Sequence, residues 1–513
     1  MTGTGSGVGS GTGSGRDSGT GLGIGSSRES GTELATESGP DATGLVSLSA
    51  LELLAGYAAG DFSPVEVCAA TLERLTRLEP VLNAFYVIEA VQAREAAAAS
   101  ARRWTRGEAS GALDGVPVSL KENIATVGTP VPSGTAALAD APPATADGPV
   151  AVSMREAGAV RLGKTVMPDY GMLSSGVSSL HGVTRSPWNP QWTVGGSSSG
   201  SSAAAAARCG PIHVGSDIGG SVRLPAGWTG LATLKPTYAI VPVDPPYIGR
   251  SVGPLARTVD DVALAMSVIA VADPGQRDYT YLEATDPSRL GWASVWREPL
   301  HDLRGLRVGL QLDAGCGVPT DPLVAATVAE AGALFERGGA AVEPIGPIIT
   351  ADHLRQLDLF FRARSWLDLE RLAPAARAAV LPYIEAWAAG AAGLTGSEVM
   401  HAYQSVQAMR AATVAATGAF DVVLSPVAPV AAFPAEWHSP TNDPVTALDH
   451  IAYTAPYNFS EQPAASVNAG FTPDGRPVGL QLAGRRFDDV RLLRVARWYE
   501  TARGPAATPA WPA

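Results

Sequence analysis

The chain runs to 513 residues, 46% of them hydrophobic and 17% charged, which is ample for a large buried core. A formal net charge of −12 and a pI near 5.1 argue against partners that need a basic face, nucleic acid and anionic membranes among them. Three scattered cysteines, Cys68, Cys209 and Cys316, make neither a disulfide framework nor a C-x-x-C metal site and fit a reducing cytoplasm; no apolar run is long enough for a transmembrane helix.

Residues 1–44 are almost all Gly, Ser and Thr, without the apolar stretch of a secretory signal. Such a composition cannot bury enough surface to offset chain entropy, so a flexible tail is expected there, ahead of a single domain over 45–513. Ser49-Ala50-Leu51-Glu52 has the spacing of a capping box and opens a helix. Ser63-Pro64-Val65-Glu66 repeats the signal with Pro at the first helical position, predicting a helix to about Leu78. A third helix is predicted over Val91–Trp104, then a short buried strand over Gly115–Leu120 that delivers Lys121. A helix near Val150–Ala157 leads into a strand at Ala159–Leu162, and the alanine run Ala203–Ala207 reads as a helix stopped by Gly210 and Pro211. Further strands are predicted around Ile212–Val214, Leu306–Leu310, Val422–Leu424 and Val478–Leu482. Helices are predicted over Pro322–Arg337, most of 352–417 and Asp488–Ala502. Elements alternating in this way indicate an α/β architecture around a buried sheet.

Of 37 basic residues only three are lysine, Lys121, Lys164 and Lys235, all within one stretch of 115 residues. Arginine stays protonated under ordinary conditions, whereas a buried lysine can lose its proton and act as a base. The same stretch holds two Ser/Gly loops, Gly195–Ser201 and Gly215–Ser221. In the second, Gly219 and Gly220 let backbone N–H groups converge, as an oxyanion hole requires. Base and serines together suggest serine-based acyl transfer. A literal P-loop match, Gly158 to Thr165, is set aside, because a strand fills the space between its glycines and Met167-Pro168 follows where a helix should run. The seven histidines, His181 to His450, form no zinc signature, so no metal is expected.

These segments are similar to those of the amidase signature family. Gly195–Ser201 and Gly215–Pro225 resemble its signature, and Gly115–Asn123 its lysine segment. The likeness extends to Gly163–Thr165, Leu234–Thr237, Gln462–Ala464 and Pro477–Gln481, and covers most of 46–503. The resemblance implies one α/β domain with a large, mixed, twisted sheet covered by helices. It implies Lys121 as base, Ser197 as bridging serine on a cis peptide, and Ser221 as nucleophile. The backbone N–H groups of Ile218, Gly219, Gly220 and Ser221 would form the oxyanion hole, with Asp217 and Arg223 as a buried supporting pair. Lys164 and Lys235 would be scaffold residues. No cofactor is implied. The expected substrate is a small-molecule amide, cleaved to acid and ammonia or amine, with no nucleic-acid or membrane partner; a homodimer is compatible with this reading. Acyl transfer to another nucleophile, the A-type subunit of a tRNA-dependent amidotransferase and an inactive scaffold are the alternatives. Against the amidotransferase reading, residues 380–455 hold no convincing arginine and aspartate pair for a glutamine. Three departures stand out: Ser199 and Thr233 where glycine is usual, and Ala226–Gly230, in which Trp228 is expected to reshape the pocket wall.

Overall fold

The computed structural model describes residues 42–272, 291–504 and 511–512. The tail expected over 1–44 lies outside them except for its last residues, which belong to a short helix, Ala42–Leu45.

Both predicted capping boxes form. Helices α1 (Ala50–Ala59) and α2 (Pro64–Leu82) start from Ser49 and Ser63, whose hydroxyls accept from the N–H groups of Glu52 and Glu66. The glutamates return the bond to the serine N–H groups, each at 2.7 Å, so two otherwise orphaned donors are satisfied at each helix start. Helix α2 passes Leu78 and stops only at Asn83, whose left-handed backbone (φ 50°) ends it. The later helices used below are α3 (Ala90–Arg106), α4 (Pro149–Glu156), α5 (Ser199–Ala206), α6 (Arg223–Thr229), α7 (Val259–Ile269), α8 (Pro322–Arg337), α9 (Ala351–Glu370), α10 (Gly396–Thr417) and α11 (Asp489–Ala502).

Eleven strands form one mixed sheet among the described residues: β1 (Phe85–Ile88), β2 (Pro117–Lys121), β3 (Val160–Thr165), β4 (Ile212–Asp217), β5 (Ala232–Lys235), β6 (Ser251–Ala256), β7 (Arg307–Leu310), β8 (Ala341–Pro344), β9 (Val422–Pro426), β10 (Ala464–Phe471) and β11 (Pro477–Ala483). Across the sheet they run β1-β3-β2-β4-β6-β5-β10-β11-β9-β7-β8. The pairs β3/β2, β2/β4, β9/β7 and β7/β8 are parallel and the others antiparallel. Strand β3 includes Gly163, Lys164 and Thr165, so the P-loop look-alike is a strand, as its composition indicated.

Helices cover both faces of the sheet. In β9, Val422 and Leu424 join one buried cluster with α1, α4, α7, α8 and α11, while Val423 joins another with α9 and α10. This is the period-2 alternation of a strand buried on both sides. Near the other edge, Val160 and Leu162 of β3 pack with α2, α3 and α5. The register Val118–Ile212 and Leu120–Val214 between β2 and β4 brings Lys121 and Asp217 to the same carboxyl end of the sheet. In open α/β sheets that is the end where ligand sites form.

Candidate active site

Lys121 is the last residue of β2 and is wholly buried. Its ammonium nitrogen donates to three hydroxyls: Ser197 at 2.8 Å, Ser198 at 3.2 Å and Ser216 at 3.2 Å. Burial, reinforced by the charge of Arg250, brings its pKa down to about 7 against the opposing pull of Asp217 and Glu122. The amine therefore exchanges its proton near neutral pH. Ser197 follows a cis peptide bond from Gly196 and directly precedes the helix-capping residue Ser198. Helix α5 begins at Ser199, four residues before the alanine run that announced it. Ser199 itself, in place of the usual glycine, is buried and donates to the Val166 carbonyl at 3.3 Å.

The two Ser/Gly loops are tied to each other. The Ser198 N–H donates to the Ser221 carbonyl (3.1 Å), and its hydroxyl accepts from the Ser216 N–H (3.3 Å). Asn123 donates to the Ser216 hydroxyl at 2.9 Å, extending the polar network around the Lys121 amine. Among the described residues no hydrogen bond joins the Ser197 and Ser221 hydroxyls. The two side chains meet in the same cavity, and catalytic hydrogen bonds often tighten only once substrate is bound.

Asp217 and Arg223 shape the second loop. Arg223 reaches the carboxylate through Nε (3.1 Å) and Nη2 (2.9 Å). It also donates to the Thr454 carbonyl at 2.8 Å, Gln481 at 2.9 Å and Asn458 at 2.7 Å. Both side chains of the pair are fully buried. Burial alone would raise the Asp217 pKa, but the Arg223 charge and hydrogen bonds from Arg223, Asn458 and the Val222 N–H hold it far below the carboxylate range. Asp217 also accepts from the Gly220 N–H at 2.9 Å. Of the four backbone N–H groups expected to face a substrate, that of Gly220 is thus engaged, whereas those of Ile218, Gly219 and Ser221 donate no bond within the chain among the described residues. Gly220 itself has φ +128°, and a Cβ there would lie 2.6 Å from the Thr454 hydroxyl oxygen.

A cavity of about 570 Å³ opens over these groups, within the size range of small-molecule sites. Ser197, Ser221 and Ile218 border its reacting end, while Met167, Tyr170 and Leu372 give it apolar walls. Trp228 is not among the lining residues, contrary to expectation. It is 2% exposed, its ring packs against Phe433 and His450, and its indole N–H donates to the Val430 carbonyl at 2.8 Å. An indole of that size at the base of α6 fits the core better than the cavity rim.

The amidase family model matches residues 66–493. The chain belongs to the amidase signature family. It is 35% identical over 489 residues to the A-type subunit of a glutamyl-tRNA(Gln) amidotransferase from Symbiobacterium thermophilum, covering 88% of this chain and 96% of the relative. It is 34% identical over 478 residues to an acylamidase of Rhodococcus erythropolis, covering 89% and 95%. The solved structure of a bacterial aryl acylamidase of the amidase signature enzymes superposes with a TM-score of 0.80 at 27% identity, over 89% of this chain and 96% of that one. The protein is accordingly an amide-hydrolysing enzyme of α/β fold.

Within this amidase the other two lysines are equally hidden. Lys164 donates to the carbonyls of Glu122 (3.3 Å) and Ile124, and Lys235 to the Pro236 carbonyl (2.7 Å). Neither lines the cavity. Ser198 and Ser216, two of the three hydroxyls on Lys121, were not singled out from the sequence, although both lie in the Ser/Gly loops. Thr454, Asn458 and Gln481 were also missed as Arg223 partners, since sequences so far apart carry no local sign of a shared hydrogen bond. Among the described residues no His, Cys, Asp or Glu cluster could hold a metal ion, and no helix is long and apolar enough to cross a membrane.

Proposed function

We propose that the enzyme hydrolyses small carboxylic amides through an acyl-enzyme on Ser221, with Ser197 as proton bridge and Lys121 as base. The observation that carries this reading is the Lys121–Ser197 hydrogen bond of 2.8 Å, made by a buried amine whose pKa lies at about 7. A neutral Lys121 accepts the Ser197 proton, and Ser197 in turn takes that of Ser221 as its oxygen bonds to the amide carbon. The developing oxyanion is received by the N–H groups of Ile218, Gly219 and Ser221, Gly220 being held by Asp217. As the tetrahedral adduct collapses, the C–N bond breaks and the leaving nitrogen takes a proton back along the same path. Water, deprotonated by the same relay, then attacks the acyl carbon and releases the acid and Ser221. Asp217 and Arg223 hold the loop in shape. Three unpaired cysteines are in keeping with a cytoplasmic setting.

A serine-directed fluorophosphonate and an ammonia-release assay test the assignment together. The wild type should be labelled and release ammonia from simple amides, and Ser221→Ala should do neither. Labelling that persists in Ser221→Ala but is lost in Ser197→Ala would exchange the two serines. The near-equal identity to an acylamidase and to a component of an amidotransferase favours a second reading, in which the chain supplies ammonia inside a complex. Under that reading the isolated chain would release little ammonia from any free amide while still taking the label.

A further inference from the structure

The cavity lining also carries charged side chains that pass no proton along the proposed relay. Arg250 and Arg364 both border the space, together with Asp368. Arg250 is anchored to the Pro245 carbonyl (2.9 Å) and the Asn123 carbonyl (3.4 Å). Arg364 lies on α9, half-buried, with its guanidinium carbon 4.1 Å from the centre of the Tyr247 ring. Among the described residues it makes no ion pair within 4.0 Å. Asp368, one turn further along the helix, has its own cation in Arg371 at 3.8 Å. A cation–π contact uses the face of a guanidinium, while its in-plane N–H fork is what matches a carboxylate. Arg364 is therefore a cation held over a ring at the cavity wall, and among the described residues its N–H edge makes no hydrogen bond. The same lining includes the aliphatic and thioether side chains of Val131, Leu138, Met167, Met172 and Leu372.

We infer that Arg364 is a specificity-determining residue that binds a carboxylate on the substrate, so that the preferred substrates are monoamides of aliphatic dicarboxylic acids. The inference rests on the proposed hydrolysis of small amides at Ser221 and names the class of amide. The amide end sits at the serines, the methylene chain lies along the apolar lining, and the carboxylate meets Arg364. A charge-assisted, two-point contact of this kind strengthens binding by roughly tenfold or more over a neutral end group.

The test uses the full chain carrying Ser221→Ala, so that binding is read without turnover. Calorimetric titration compares adipic acid monoamide with hexanamide, which lacks the charge, and with 6-aminohexanamide, which reverses it. The expected result is at least tenfold tighter binding of the carboxylate compound. That preference should fall to twofold or less when Arg364→Met is added, and return in part with Arg364→Lys. In the active enzyme the same preference should appear in KM rather than kcat. Near-ultraviolet circular dichroism confirms that each variant is folded. Equal binding of the three amides, no binding of any, or tightest binding of the amine, which would make Asp368 the dominant wall charge, overturns the inference. Turnover of neutral amides with no carboxylate preference removes Arg364 from specificity and leaves the Ser221 reading standing. A carboxylate preference in binding, in an enzyme that releases no ammonia and takes no phosphonate label, does the reverse.

Discussion

Lys121 and Lys164 sit on adjacent parallel strands, paired in register one residue apart, and both are fully buried. Burial brings each to a pKa of about 7, so by charge state alone the two amines are equivalent. Their partners differ. Lys164 points its hydrogens at the backbone carbonyls of Glu122 and Ile124, which have no proton to give. Lys121 meets three serine hydroxyls, and two of those serines, Ser197 and Ser216, border the cavity. Desolvation makes an amine that can be neutral; only a partner with an exchangeable proton makes that amine a base. Lys235, bonded to the Pro236 carbonyl and lowered by burial, belongs with Lys164.

Exchanging each lysine for methionine tests this contrast most severely. Lys121→Met should lower kcat by about 10²–10⁴-fold, the range of a lost general base. Lys164→Met should keep kcat per folded molecule within a few fold, as counted by phosphonate labelling. Comparable losses in the two variants would erase the distinction. Ser197→Ala should follow with a loss of about 10²-fold and slower but complete labelling, since Ser221 remains to react.

The pH profile sharpens the same point. If neutral Lys121 is the working form, kcat/KM should rise about tenfold per unit below its pKa of about 7 and level off above it. A profile flat from pH 5 to 9 would disconnect the amine from the reaction. The smallest effect concerns Lys164 and stability. Between about 7, its folded value, and 10.5, its ordinary one, the unfolded chain carries a proton at this residue that the folded chain lacks. Folding is therefore favoured by rising pH across that window, by about 1.4 kcal/mol per unit for one group. Urea melts at pH 8 and pH 10 should show that increment reduced in Lys164→Met relative to the parent.

Helices with a start signal were easy to read. Ser49, Ser63 and Pro322 announce α1, α2 and α8 because capping is local chemistry, written within four residues. Strand β6, Ser251–Ala256, was not anticipated, since Gly253 and Pro254 look like a break in the pattern. It holds because it pairs with β4 along its whole length, with Thr233 of the neighbouring β5 adding a hydroxyl bond to the Pro254 carbonyl at 2.6 Å. Strands β1, β5, β8 and β10 were likewise unannounced; β5 and β10 are wholly or almost wholly buried, and such strands need not alternate. In the candidate site, the residues that local motifs single out, Lys121, Ser197, Ser221, Asp217 and Arg223, lie close together in the structure or are joined by its hydrogen bonds. The cavity wall was not legible in this way. Arg364, Asp368 and Tyr247 come together only when α9 packs over the loop before β6, and Trp228, which sequence placed at the wall, turns into the core.

The partners of Arg223 also set a timetable. Its bonds to Thr454, Asn458 and Gln481 span 231, 235 and 258 residues of chain. At about 5–20 residues per second on a ribosome, the last of these arrives roughly 13–50 s after Arg223 itself. Through that interval the guanidinium has Asp217 for company and little else of its final shell. A nascent chain ending before residue 454 therefore has both Ser/Gly loops and all three lysines in hand, yet lacks the contacts that fix the second loop. Enzyme activity should appear only with completion of β11, and the long-lived partial chain is the form most exposed to chaperones and proteases.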